Sequence, residues 1–191
     1  MHGLHFELDA ENLQRLVIEL VATEKQVKFA LSRALNRTAT TLRTMAARSL
    51  KNDLQLRTIA LLRKRMRSLR LRVSSQEGFT LWFGLNDMPV SWFQGIPKET
   101  TTGAQHKETN FEGAFVARSK FKNRKTVFKR DGAGRLPITE QLKAIGDKAK
   151  IVIEDEIFVK TEDIFWKHFE RDLRARTKHG VGLADYRQNN R

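Results

Sequence analysis

From Leu4 to Glu77 the chain contains neither proline nor glycine, and through most of that span its apolar residues recur every three or four positions. Proline and glycine are the residues that break helices, so an uninterrupted stretch with a helical hydrophobic period must bury a long stripe against something. Leu13, Leu16, Val17 and Leu20 begin the stripe, and Val27, Leu31, Ala34, Leu35, Leu42, Met45 and Ala46 continue it. Two helices are predicted, over residues 9–21 and 24–52, the second longer than an ordinary globular helix. Asp9 stands where an N-cap belongs, with Asn12 three residues on, which makes an imperfect capping box. Ahead of it, Leu4, Phe6 and Leu8 alternate with His5 and Glu7 in the pattern of a short strand.

Beyond the long helix the pattern changes repeatedly. Leu54, Leu56, Ile59, Leu62, Met66 and Leu69 supply an apolar seam, and a short helix over residues 57–69 is predicted. Residues 69–74 and 79–85 alternate as the two arms of a hairpin around the turn Ser75-Gln76-Glu77-Gly78. Residues 86–110, with Pro89, Gly95, Pro97 and Gly103, read as a long loop, of a length that is uncommon in a compact domain and often functional or disordered. Two further strands are expected at 113–118 and 125–130, followed by the turn Asp131-Gly132-Ala133-Gly134. Ile145, Ala149, Val152, Ile153 and Ile157 then indicate one helix. Ile164, Phe165, His168, Phe169, Leu173 and Arg176 indicate another, with Thr161 as its N-cap before Glu162 and Asp163. The fold class expected is α+β: a small, mostly antiparallel sheet packed by a long N-terminal helix and C-terminal helices. One domain over residues 1–179 is expected, helical from 9 to 69, with a tail at 180–191.

The charge is the second constraint. Thirty-six lysines and arginines against 22 acids leave a formal net charge of +14, and the pI is about 10.4. Such a chain attracts polyanions, whether nucleic acid or an acidic protein surface. The charge is concentrated. Arg57, Arg63, Lys64, Arg65, Arg67, Arg70 and Arg72 follow one another with no acid among them. Lys120, Lys122 and Arg124 lie in a second basic segment that runs from Arg118 to Arg130, with Phe121 inside it. These ten residues are the expected contacts to a partner or to DNA. No signature of sequence-specific recognition accompanies them.

Tests for chemistry are negative. No cysteine is present, which removes disulfides and thiolate chemistry. The five histidines, His2, His5, His106, His168 and His179, have no metal-ligand spacing, and His168 on an apolar helix face reads as a packed side chain. Gly132-Ala133-Gly134 lacks the Lys-Ser/Thr of a phosphate loop. Glu154, Asp155 and Glu156 read as a solvated acidic face, and no serine sits in a nucleophile elbow. No enzyme, cofactor or metal is expected. No apolar run is long enough to span a bilayer, and no signal peptide is visible at the start.

The series Gly113-Ala114-Phe115-Val116-Ala117, Thr126-Val127-Phe128-Lys129-Arg130 and Arg135-Leu136-Pro137-Ile138 resembles a pattern of phage minor tail proteins, closest to the lambda-type prophage minor tail protein Z family. Ala34-Leu35-Asn36-Arg37 in a long Ala-rich helix, with a basic helix after it, fits the same family. The order of elements matches from about Leu4 to Ala175, whereas residues 89–110 and 154–163 depart from it. The resemblance implies a virion structural protein at the tail terminus or neck, made in the host cytoplasm. It would help complete the tail and join it to the head. Its partners would be other tail or neck proteins and further copies of itself in a ring, a hexamer by family analogy, with viral DNA a further contact and no membrane. A ring needs two different complementary faces, expected on residues 24–52 and 89–110. Two other readings stay open: a non-specific nucleic-acid-binding protein, and, remotely, a metal-dependent nuclease using Glu154, Asp155 or Glu156.

Overall fold

The computed structural model describes residues 2–7, 9–65, 71–75, 78–83, 86–119 and 123–180. In chain order these form β1 (His2–Glu7), α1 (Ala10–Glu19), α2 (Glu24–Asp53), α3 (Ile59–Arg65), β2 (Leu71–Ser75), β3 (Gly78–Phe83), β4 (Met88–Pro89) and β5 (Lys98–Thr100). There follow β6 (Gly103–His106), β7 (Thr109–Glu112), β8 (Ala114–Ser119), β9 (Arg124–Arg130), β10 (Ile138–Glu140), β11 (Leu142–Lys143), α4 (Gly146–Val152) and α5 (Thr161–His179). The strand pairs are antiparallel, and the class is α+β, as the residue patterns predict. The chain divides into two compact units. One takes the residues up to Ala46, β2, β3 and the chain from Ile153. The other takes Ala47 to α3 and the chain from 86 to Val152.

In the first unit β1 pairs with β3, and β3 with β2, so the expected hairpin forms and the N-terminal strand joins its other edge. Asp9 caps α1: its carboxylate accepts from the backbone N–H of Glu11 at 3.0 Å and of Asn12 at 3.2 Å. The chain then breaks at Val21, whose φ of 48° is unfavourable for a β-branched residue. A reciprocal capping box restarts it. The backbone N–H of Thr23 donates to Gln26 Oε1 at 2.9 Å, and that of Gln26 donates to Thr23 Oγ1 at 3.4 Å. Along α2, every fourth residue from Ala30 through Ala34, Thr38, Leu42 and Ala46 is fully buried. The small residues of this stripe let neighbouring elements approach closely. On α5 the buried stripe is Phe165, Phe169, Asp172, Leu173 and Arg176. Phe165 and Phe169 stack at 5.9 Å, and Trp166 meets both rings edge-on. Gln26 meets Arg176, Arg33 and Arg37 meet Asp172, and Thr41 meets His168, so α5 runs antiparallel to α2.

One expectation for this unit is corrected. Thr161 does not cap α5; it is buried inside the first turn and its hydroxyl has no hydrogen-bond partner. The chain enters α5 already helical, from a 3-10 turn at Phe158–Lys160 and a π turn at Ile153–Ile157, so no extended cap position exists there.

The second unit holds the larger correction. Residues 86–110 are not a loop. They carry β4, a 3-10 turn at Val90–Trp92, and the meander β5-β6-β7 that closes with Thr109–Glu112. Met88, Val90, Phe93, Ala104 and His106 from this segment are buried. The strands are two to four residues long, so their hydrogen bonds hold them where an apolar alternation is missing. Gly103 allows the meander to close: a Cβ there would stand 2.2 Å from the Phe111 carbonyl oxygen and 2.9 Å from the Gly113 nitrogen. The expected pair β8 and β9 forms in full register from Ala114↔Lys129 to Ser119↔Arg124, and β10 adds to the other edge of β9. Val127 is fully buried among Val90, Ala104 and Ala114. Phe115 and Phe128 form a half-buried cross-strand pair with centroids 6.2 Å apart. After β10 the main chain of Gln141 binds both ways, its N–H donating to Val127 O at 2.9 Å and its carbonyl accepting from Val90 N at 3.0 Å. Below it, Glu140 accepts from Thr126 Oγ1 at 2.8 Å and from the backbone N–H of Ser91 at 3.1 Å.

Candidate anion-binding surfaces

The basic residues singled out in the sequence fall into four situations. Arg57 turns inward: its Nη2 donates to Gly95 O at 2.8 Å, and its buried Nε has no hydrogen-bond partner. Half-buried, it braces the chain at Gly95, three residues before the meander begins. Arg63 on α3 and Arg124 at the start of β9 are exposed, as a partner contact requires. Lys64 and Arg65 continue α3, and Arg72 sits on β2 opposite Thr80. Arg67, Arg70, Lys120 and Lys122 lie outside the described residues. The acidic trio Glu154, Asp155 and Glu156 is exposed on the π turn. Among the described residues no three His, Asp or Glu side chains come together as a metal site.

A concentration of cations that the sequence reading did not select lies in the first unit. Where α2 and α5 run side by side they leave a groove of about 870 Å³, lined by Phe29, Ser32, Arg33, Asn36, Arg37, Thr40, Thr41, His168, Arg171 and Arg176. Four of these are arginines, and none is an acid or a lysine. Arg33 and Arg37 stand one turn apart on α2, and their side chains are 49% and 45% exposed. Asp172 lies among them, 4% exposed. Its Oδ2 accepts from Arg176 Nε at 2.6 Å, and its Oδ1 is 3.6 Å from Arg33 Nη1 and 3.9 Å from Arg37 Nη1. One buried carboxylate therefore organises three guanidinium groups and leaves the groove strongly positive. The Arg176 guanidinium also lies over the ring of Phe29, 5.5 Å from its centroid, and that residue is 51% exposed.

His168 sits half-buried in the same groove, its Nε2 3.3 Å from Thr41 Oγ1. Burial lowers its pKa below the usual histidine value, and the charges of Arg37, Arg171 and Lys167 lower it further. A neutral imidazole at pH 7 follows, so the positive charge of the site belongs to the arginines. The signal in the sequence was the pair Arg33 and Arg37 at i and i+4, flanked by Phe29. It had no visible counterpart until α5 was placed beside α2.

Among the described residues no helix is long and apolar enough to cross a membrane. Comparison of the chain with protein-family models, with curated proteins and with solved structures gives no match.

Proposed function

We propose that the protein is a structural component of a phage virion at the tail terminus or neck, working by assembly into a ring and helping to complete the tail and join it to the head. The observation that carries this reading is the fold of the segment on which the resemblance to minor tail proteins rests. Within Gly113 to Ile138, β8 pairs with β9 along its full length, and β10 lies at the other edge of β9. That edge is flanked by apolar side chains in solvent: Leu136 is 73% exposed, Leu142 52% and Ile138 39%. A short strand edge beside exposed leucine and isoleucine is a surface suited to receiving another chain. Arg63 on α3 supplies an exposed cation outside that sheet, and a ring of identical copies needs two unlike faces that fit one another.

Purified full-length protein is expected to form a closed oligomer in native mass spectrometry and negative-stain microscopy, and to be present in particles made from the genome that encodes it. Leu136→Asp combined with Ile138→Asp should leave a folded monomer. A wild-type chain that stays monomeric at high concentration and is missing from purified particles would remove the reading.

A further inference from the structure

The groove between α2 and α5 is an open cavity of about 870 Å³ lined by four arginines and an exposed phenylalanine. We propose that it binds a segment of single-stranded nucleic acid, with Arg33, Arg37 and Arg171 on the phosphates and Phe29 as the stacking surface for a base. The inference does not depend on the virion reading, since it concerns one chain and no assembly.

Three features of the groove argue for this ligand. The first is the donor set. Arginine presents planar forks that match phosphate oxygens bidentately, and here the cations are arginines fixed on two helices. Arg33 and Arg37 are separated by about 6 Å along the helix axis, the scale of successive phosphates on one strand. The second is preorganisation. Asp172 holds three of the guanidinium groups near one point from beneath, while Arg33 and Arg37 remain half-exposed and able to take a further anion. The third is the aromatic ring. Phe29 is half-exposed on α2 one turn before Arg33, and Arg176 covers part of it. A ring beside a row of arginines is how proteins without sequence preference hold single strands: the backbone follows the cations and bases stack on the aromatic. An acidic protein segment would use the arginines but give the ring nothing comparable. Double-stranded DNA would use the cations alone, since its bases are already stacked.

The test measures fluorescence anisotropy of the full chain with four labelled probes. These are a thymidine oligonucleotide of about a dozen residues, within the usual site sizes for such proteins, the uridine RNA of the same length, a DNA duplex, and an Asp/Glu peptide. Arg33→Gln/Arg37→Gln is compared with Lys148→Gln/Lys160→Gln, which removes the same charge from exposed positions outside the groove and outside the basic segments. The groove pair should lose on the order of tenfold in affinity for the single strands near physiological salt, and the control pair at most about twofold. The slope of log affinity against log salt should flatten by roughly 1.4, at about 0.7 for each phosphate contact on a single strand. Phe29→Ala should weaken binding without changing that slope, and Phe29→Trp should retain binding and report it by fluorescence quenching. Tighter binding of the thymidine or of the uridine strand assigns DNA or RNA as the source. Equal losses in the two double variants would overturn the proposal. So would a duplex or an acidic peptide bound more tightly than the strands through Arg33 and Arg37. Phe29→Ala indistinguishable from wild type would also sink it. Circular dichroism of each variant keeps loss of fold apart from loss of binding, and oligomeric state is read separately on the same samples.

Discussion

Replacing Asp172 with alanine should be among the most damaging single changes in the first unit. The carboxylate is 4% exposed and its Oδ2 receives the Arg176 Nε–H at 2.6 Å, while the Arg176 side chain is itself only 10% exposed. Removing the acid leaves a buried guanidinium facing two more cations, Arg33 and Arg37, that stood 3.6 and 3.9 Å from the same carboxylate. Breaking one partner of a buried pair costs about 3–5 kcal/mol. The half-exposed arginines add little, each no more than about 0.5 kcal/mol. Asp172→Ala should therefore cost about 4 kcal/mol. Asp172→Asn keeps an acceptor for the Nε–H and should cost about 2–3 kcal/mol. Arg33→Ala should cost under about 1 kcal/mol, because its loss leaves the close pair intact. Urea unfolding of the full-length protein, followed by the fluorescence of Trp166 beside Phe165 and Phe169, measures all three changes. Stabilities of Asp172→Ala and Arg33→Ala that differ by less than about 1 kcal/mol would refute the argument that burial, rather than the number of ion pairs, sets the energy of this cluster.

Two further outcomes follow from the second unit. His106 is 1% exposed, with Nε2 3.1 Å from Gln94 O and an unpartnered Nδ1, and its pKa is lowered first by burial, then by Lys143 and Lys107. The folded state therefore binds its proton less readily than the unfolded one. Stability should fall as pH drops below about 6.5, by at most about 1.4 kcal/mol per pH unit from this group, until the folded histidine itself protonates. His106→Gln should flatten that slope in urea titrations at several pH values, and a steeper slope in the variant would contradict the assignment. Gly103→Ala should destabilise by about 2–3 kcal/mol, since the new methyl meets backbone at 2.2 and 2.9 Å. Gly146→Ala, with nothing within 4 Å, should be neutral or slightly stabilising, so comparing the two melting temperatures is the check.

The first two helices, α1 and α2, were legible because their apolar stripes are long and their starts carry capping chemistry. Asp9 caps where the change of period places it, and α2 runs from Glu24 to Asp53 against an expected 24–52. The β2-β3 hairpin was legible as alternation around a turn, and β8 and β9 as two successive strands. The meander of residues 98–112 was not, because its strands are short and polar and bury little beyond Ala104 and His106. What holds it is the local hydrogen-bond ladder and the approach that Gly103 allows, and neither leaves a hydrophobic period to read. Arg57 shows the limit of charge as a signal: its guanidinium serves the Gly95 carbonyl. The arginine groove stayed hidden because Arg33 and Arg37 meet Arg171 and Arg176 only through the docking of two helices far apart in the chain.

Gln141 is bonded by its N–H to Val127 of β9 and by its carbonyl to Val90, the first residue of the 3-10 turn after β4, so a single residue ties the β8-β9-β10 sheet to that segment. Neither bond can open fully without disturbing the residue that makes the other. Amide hydrogens of Gln141 and Val90 should therefore exchange with deuterium at one common rate, as a cooperative block, rather than as two independently fraying strand ends.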